Sequence, residues 1–536
     1  MALPCIWGLV SAEPKHESQE TRVNFVINQI LLRSNRNTMI VSAFLGRVIL
    51  GPPWLNPDDK AREDSIMTTL NTSTKSFKER FEVVTQPFLQ EAGLPFTSVL
   101  DARTIQQAFR EQEALFGQQD VFSTEIVLWA FLAQTLRDGK GAACTAAVAD
   151  IATYMLQTGQ RPPSGDTGDY CRARAKLNLQ ALQNLVRQSA SHLENRVDPG
   201  WLWKGLHAKL VDGFTFTMPD TPANQNQFPQ HPSQPIGVGF PIARVCSVVS
   251  LATACVCDLA LGRYKGKGTG ETALLRTILD GFQEDDLVVF DRYYCSYMML
   301  ALLMKRNIHV CTRLYHSRIS DFRRGHRLGP DDHLITWMRP QRPSWMSPED
   351  YDQIPEILEL REVRFRVTES GHRTETITIV TTLTDPGQYT KEDLAALYGL
   401  RWNIETDILH IKQTLNLDHL RCKTPEMVQR ELWVTLLAYN LIRTVIAKSA
   451  QVHGKQPRCL GFTLACQSIL ASWMLLSTGT CGDASTMARM ILAHIAANEV
   501  ADRPGRLEPR LLKRRRQHYP FMNYPRDRHR AEIGKT

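Results

Sequence analysis

Apolar residues recur at three-and-four spacing through residues 74–198, in KSFKERFEVVTQPFLQEAG, DARTIQQAFREQEALFG, STEIVLWAFLAQTLRDG and ARAKLNLQALQNLVRQSASHLENRV, with Gly and Pro between them. That period puts one apolar stripe on each helix, so residues 67–200 are expected to form a helical N-terminal domain. From Leu206 the texture becomes that of strands: KLVDGFTFTM, then ARVCSVVSLATACVCDLALGRY, whose VVSLATACVCDLAL portion reads as a buried strand. A helix is expected at ETALLRTILDGF, a buried strand at DLVVF, a helix at CSYMMLALLMKR and a strand at IHVCTRL. Antiparallel-type strands followed by strand and helix in alternation predict a mixed α/β sheet.

The alternation breaks off between residues 313 and 389. A Pro/Trp-rich stretch, TWMRPQRPSWMSPEDY, and two strand patterns, REVRFRV and TETITIVTTL, mark 313–389 as a mainly β insertion between two parts of a core, 201–312 and 390–470. Helical patterns resume at TKEDLAALYGLRWNIETDILHIKQTL and continue through ELWVTLLAYNLIRTVIAKSA, so 471–536 is expected to be a helical region ending in a basic tail. Residues 1–66 stand apart. Met67 opens the polar lead-in to the first convincing helices, and what precedes it reads as an extension or as the product of a mis-set start codon.

One helix carries an unusual row of polar side chains. Thr390 with Asp393 resembles a capping box, which starts the helix near Lys391. At about 100° per residue, Tyr398, Arg401, Glu405 and Lys412 fall within an arc of roughly 60°. Leu397, Leu400, Ile404, Ile408, Ile411 and Leu415 take the neighbouring arc, while Gly399, Asn403, Thr406, His410 and Gln413 face away. A merely solvated face would lie opposite the apolar one, yet this stripe borders it. Two readings fit: snorkelling Arg and Lys stems with a local Arg401–Glu405 ion pair, or a ligand-facing stripe with a carboxylate between cationic and phenolic groups.

Two more carboxylates stand out by position. Asp212 lies inside a strand pattern, where Asp is disfavoured. Asp291 directly follows LVVF, at the carboxyl end of an expected central strand, where open α/β sheets bind ligands. Any one of them alone is explained as a cap or turn residue. Together with Glu405 they make an all-oxygen set suited to Mg²⁺. Two such ions, about 3.5–4 Å apart, would activate an attacking water or hydroxyl and stabilise the leaving oxygen at phosphorus.

Composition changes the picture at one end of the chain. The net charge is +8, and residues 503–536 alone hold eleven Lys/Arg against three Asp/Glu, an excess equal to that of the whole chain. A tail containing Lys513, Arg514, Arg515 and Arg516, with Tyr519, Phe521 and Tyr524 nearby, suits a polyanion such as DNA, or else is a solvated tail. The twelve cysteines include no CxxC pair, which favours reduced core thiols over zinc or disulfides. The most apolar stretch, TMIVSAFLGRVILGPPWL, is interrupted by Arg47 and ended by Pro52 and Pro53, too short to span a membrane. The start, MALPCIWGLVSAEPK, lacks the basic n-region of a signal peptide.

Tyr398, Arg401, Glu405 and Lys412 match the Y-x2-R-x3-E-x6-K signature of the bacterial Insertion Sequence 4 group of transposases, within the Asp-Asp-Glu recombinase superfamily. VDGFTFTMPDTPANQNQF resembles that family's first-aspartate block and VVFDRYYCSYMML its second; GDYCRARAKLNLQAL and RPGRLEPRLLKRRRQHYPFMNYPR are similar to flanking blocks. The resemblance covers roughly residues 70–530. It implies an RNase H-like catalytic domain with a mainly β insertion and helical regions before and after, and a DNA-binding role for the N-terminal helices. It also implies Asp212, Asp291 and Glu405 as a metal-binding triad, with Asp220 the runner-up for the first acid.

By the same resemblance, Tyr398, Arg401 and Lys412 would hold transposon-end phosphates. A tryptophan of the insertion would stack on a flipped base, Trp337 first and Trp345 in reserve, with Trp402 a further DNA contact. The family implies two Mg²⁺ ions with Mn²⁺ as substitute, terminal inverted repeats and target DNA as partners, a homodimer in the synaptic complex, and the bacterial cytoplasm at the nucleoid. Relatives excise through end hairpins. Two other classes stay open: a repurposed DNA-binding protein that no longer cleaves, and a metal-dependent nuclease without strand transfer.

Overall fold

The computed structural model describes residues 100, 102–118, 120–157, 161–367, 375–477, 484–500 and 521–533, all within one compact unit, Ser76–Thr536. The extension 1–66, the helix expected at 75–93, the apolar stretch at 38–55 and the KRRR tail at 513–516 lie outside the described residues.

Among the described residues five helices come first: α1 (Ala102–Arg110), α2 (Thr124–Thr135), α3 (Cys144–Gln157), α4 (Gly168–Ala175) and α5 (Leu179–Glu194). The pattern ARAKLNLQALQNLV reads as one helix but forms two. Asn178 adopts an extended backbone and its side chain accepts the Ala181 N–H at 3.0 Å, a cap that starts α5 afresh.

The strands are β1 (Ala208–Thr217), β2 (Ile242–Ser250), β3 (Val256–Arg263), β4 (Leu287–Phe290), β5 (His309–Arg313), β6 (His326–Gly329), β7 (Asp332–Met338), β8 (Ile357–Val367) and β9 (Glu375–Thr381). They form one nine-stranded mixed sheet in the order β3-β2-β1-β4-β5-β9-β8-β7-β6. β1 runs antiparallel to β2 and parallel to β4, and β4 runs parallel to β5. Strands of the 313–389 interval continue this sheet, because β9 pairs antiparallel with β5.

The run VVSLATACVCDLAL is not one strand, as expected, but a hairpin. Ala254 takes a left-handed φ of 61°, and bonds from Ala254 N to Ser250 O and from Ser250 N to Cys255 O close the turn. No Gly or Pro marks it in the sequence.

Between strands lie α6 (Pro222–Gln227), α7 (Glu271–Arg276), α8 (Tyr297–Met304) and α9 (Pro348–Asp352). After the sheet come α10 (Lys391–Leu400), α11 (Asn403–Leu409), α12 (Pro425–Val452), α13 (Phe462–Ser477), α14 (Ala484–Ala497) and α15 (Arg526–Ile533). Among the described residues no helix is long and apolar enough to cross a membrane.

Alternation along β1 divides the core. Leu210, Phe214 and Phe216 face the N- and C-terminal helices, while Val211 joins α7 and α8 on the other side. The 28-residue α12 is the central spar of the first side, buried along most of its length and packed on α2, α5, α13 and α14.

At its middle, Asn440 replaces a hydrophobe to a purpose. Its side-chain oxygen accepts the Val256 N–H at 2.8 Å, and its amide donates to Val256 O at 2.9 Å and to Ser189 Oγ at 3.0 Å. One amide thereby joins α12, α5 and the start of β3. Asn440→Ala would strand two buried backbone groups, and we expect it to lower stability by about 3 kcal/mol in urea unfolding.

Candidate active site

β1 and β4 are parallel neighbours with Val211 opposite Phe290. Asp212 and Asp291 follow directly, on adjacent chains at the same level of the sheet. Asp291 leaves β4 as an N-cap: its Oδ1 accepts the Tyr293 N–H at 2.7 Å, and its carbonyl accepts the Thr312 hydroxyl at 3.0 Å. Asp212 stays within the strand, its Oδ1 on the Gly213 N–H at 2.8 Å. Burial raises the Asp212 carboxyl to about 6; the Gly213 N–H and Arg401 oppose the rise, while the charges of Asp291 and Glu271 add to it.

The third acid arrives on a broken helix. Thr390 and Asp393 form the expected capping box at the start of α10. The single helix expected from there to Leu415 is interrupted at Arg401 and Trp402, where i→i+3 bonds (Arg401 N to Tyr398 O, Trp402 N to Gly399 O) tighten the chain. It ends in a π-helical turn over His410–Thr414. The break turns Leu400 outward, 41% exposed, and buries Arg401 at 8%. Six apolar positions on one continuous arc is therefore corrected: burying the Arg401 guanidinium takes precedence over burying Leu400.

Arg401 bridges two of the acids, with Nη1 at 3.6 Å from Asp212 and Nη2 at 3.5 Å from Glu405, whose side chain is half exposed. Its Nε, buried, has no hydrogen-bond acceptor. Trp402 lies outside, exposed, with the Arg401 guanidinium 4.7 Å from its ring centroid. Tyr398 is buried, and burial lifts its phenol to about 12 against the opposing charge of Arg401. Lys412 pairs with Asp418 at 2.8 Å. The chain beyond the π turn docks on the end of β1, where the Leu420 N–H donates to the Thr217 carbonyl and the Thr217 N–H to the Asp418 carbonyl.

A second anchor lies on the far face of α11. Asp407, two residues after Glu405, is 1% exposed and holds Arg443 and Arg458, each at 2.9 Å. Arg458 also donates to the Ser250 carbonyl at 2.7 Å. Burial beside Arg443 lowers the neighbouring His410 to about 4, so its imidazole stays neutral against Phe462.

Other expected residues sit elsewhere. Trp337 is corrected as a base-stacking residue: its position on β7 faces the second core, it is 3% exposed, its indole N–H donates to Glu362 at 3.2 Å, and Arg318 covers its ring at 3.7 Å. Trp345 is 46% exposed and lies against the Arg276 guanidinium at 3.8 Å. Asp220 is exposed in the loop after β1, its carboxylate on Gln225 at 2.8 Å.

Among the described residues no three His, Cys, Asp or Glu side chains already converge at metal-ligand distances. The donor set nevertheless fits a hard divalent cation: it is all carboxylate, and the positive charge between Asp212 and Glu405 is presently that of Arg401. Sequence reasoning missed Glu271, whose charge reaches this centre. Gly213, a glycine in a strand interior, was the available signal of a close approach.

The family described as transposase DDE domain matches residues 203–441, a span that begins before β1 and ends within α12. Over 432 residues the chain is 24% identical to the InsG transposase of insertion sequence element IS4 of Escherichia coli K12, covering 80% of this chain and 94% of that protein. The chain is therefore similar to DDE-domain transposases through the span that holds the three acids, and to a transposase of element IS4 over most of its length. A shorter match, 40% identical over 62 residues, covers 12% of this chain and 17% of the transposase of element IS421 of Escherichia coli. Among solved structures, a piggyBac transposase synaptic complex with hairpin DNA aligns over 79% of this chain and 86% of that one, with 9% identity and a TM-score of 0.39.

The raised Asp212 carboxyl has a pH signature in the metal-free protein. A folded-state value above the unfolded one means the folded protein binds the proton more tightly. Stability is therefore lost as pH rises from about 4 through 6 and stays lower above that. Asp212→Asn should raise the metal-free melting temperature at pH 7, by about 2 kcal/mol in stability, with the gain vanishing near pH 4.

Proposed function

We propose that this protein is a transposase of the Insertion Sequence 4 group that works by cut-and-paste, with Asp212, Asp291 and Glu405 holding two Mg²⁺ ions, or Mn²⁺ in their place, in an RNase H-like core. The observation that carries the reading is the Arg401 bridge: a buried guanidinium between two acids, with one N–H left without an acceptor. A purely structural ion pair would satisfy that donor; a site that awaits a phosphate leaves it free. The strand order β3-β2-β1-β4-β5 supports the RNase H-like assignment.

Bound divalent cations would supply Lewis acidity at the attacking and leaving oxygens. Arg401 and Lys412 grip phosphates on either side of Glu405, with Tyr398 beneath Arg401 supporting its position. In end cleavage, water oxygen forms a bond to phosphorus while the bond to the 3′-oxygen breaks, and that oxygen leaves with a proton as a 3′-hydroxyl. In joining, the 3′-hydroxyl attacks a phosphorus of the target strand, loses its proton, and displaces the target's own 3′-oxygen. Trp345, exposed on one face and backed by Arg276 on the other, is the residue we assign to a flipped base at the transposon end. Two copies would pair the two ends, with Trp402, the N-terminal helices and the tail residues Lys513, Arg514, Arg515 and Arg516 adding contacts to DNA.

The test is incubation of purified protein with Mg²⁺ and DNA carrying the element's ends. Cleaved ends and joined product are expected; hydrolysis without joining would make it a nuclease. Asp291→Asn and Glu405→Gln should each lower cleavage by at least about a thousandfold while the ends are still bound in gel shift. Trp345→Ala should weaken the complex with a DNA end carrying an unpaired terminal base by roughly 1–3 kcal/mol, with little change on nonspecific duplex.

A further inference from the structure

Glu271 opens α7, behind an extended Gly270, and α7 packs on β2 and β3. Asp212 and Gly213 point to opposite faces of β1. A Cβ built on Gly213 would overlap the Glu271 carboxyl group, so this glycine is what lets the acid lie directly against the strand. The backbone at Gly213 needs no glycine for its φ. Close approach is the remaining reason for it.

The partners of Glu271 are loose. Arg244 Nε is 3.9 Å from one oxygen, and the Tyr294 hydroxyl donates to the other at 3.5 Å. Arg244 is itself divided, donating to the Thr269 carbonyl at 3.3 Å and lying over Tyr264, and its buried Nε has no hydrogen-bond acceptor. The like charges are closer to the point. Burial raises the Glu271 carboxyl, Arg244 opposes that, and Asp291 adds to it, while Glu271 in turn acts on Asp212. Glu271 thus lies against β1 at the residue next to Asp212, whose own Oδ1 is held on the Gly213 N–H, and these two acids are flanked by Arg244 and Arg401, each with a buried Nε that has no acceptor. Mutual repulsion of this kind destabilises a fold unless a cation relieves it.

We propose that Glu271 is a fourth carboxylate of the divalent-cation centre, reaching it from the face of β1 opposite to Glu405. This rests on the reading of Asp212 and Asp291 as metal ligands. An acid held against the strand backbone supplies a ligand that does not depend on how α11 moves. Arg244 then stands to Glu271 as Arg401 stands to Glu405, a cation that holds the acid until metal and phosphate arrive.

The experiment is thermal unfolding of the full chain, first metal-free and then across a Mn²⁺ titration, for wild type, Glu271→Gln and Gly213→Ala, the last displacing Glu271 by a methyl group. Alongside it runs cleavage of end-bearing DNA against Mn²⁺ concentration. Expected for Glu271→Gln are a higher metal-free melting temperature, a smaller metal-induced rise, and about a tenfold higher Mn²⁺ concentration for half-maximal cleavage. End binding without metal should be unchanged. Gly213→Ala should show the same loss of metal response. A metal-induced rise and half-saturation equal to wild type in Glu271→Gln would overturn the proposal and leave Glu271 a structural partner of Arg244. No metal-induced rise in wild type, and none in Asp212→Asn, would instead bring down the reading of Asp212 and Asp291, and this inference with it.

Discussion

Asp407 fixes the geometry on which the candidate site depends. Its carboxylate is sealed from water between Arg443 of α12 and Arg458, and Arg458 is itself tied to the turn that joins β2 to β3. Two residues apart on a helix is a rotation of about 200°, so the anchor and Glu405 occupy opposite faces of α11. What holds the segment therefore does not compete with what it presents. Removing one partner from such a buried pair costs roughly 3–5 kcal/mol, because the other charge is left without compensation. The bond between Thr217 and the chain after the π turn closes the same segment onto β1. Glu405 is thus referenced to the strand that carries Asp212 from two directions.

The arrangement so held is electrostatically uncomfortable. Burial makes the charges of Asp212 and Glu271 harder to sustain, the neighbouring acids add to this, and Arg401 and Arg244 offset it only at long contact distances. Stability is surrendered at the edge of the sheet and recovered in the core, above all along α12 and at Asn440.

Sequence patterns carried the strands of the first half well, because Asp212 in KLVDGFTFTM and Asp291 after LVVF each sit in a pattern with only one sensible structure. The capping box at Thr390 was equally plain, since it needs only two residues three apart. Three features were not legible, each for a tertiary reason. Period alone cannot show that Arg401 would be buried and Leu400 turned out, because that choice depends on an acid on another strand. The turn after Ser250 contains no Gly or Pro, and Ala254 is held at positive φ by its surroundings. Trp337 lies on an alternating strand whose buried face is set by β8, so the exposed Trp345 in the loop could not be preferred from sequence.

Helix α7 has one more implication. At six residues it spans about 9 Å, fewer than two turns. Its first residue is Glu271, laid on Gly213, and its last is Arg276, stacked on Trp345. On the roles proposed above, one short helix thereby joins the residue that would take a base to an acid that would take a cation.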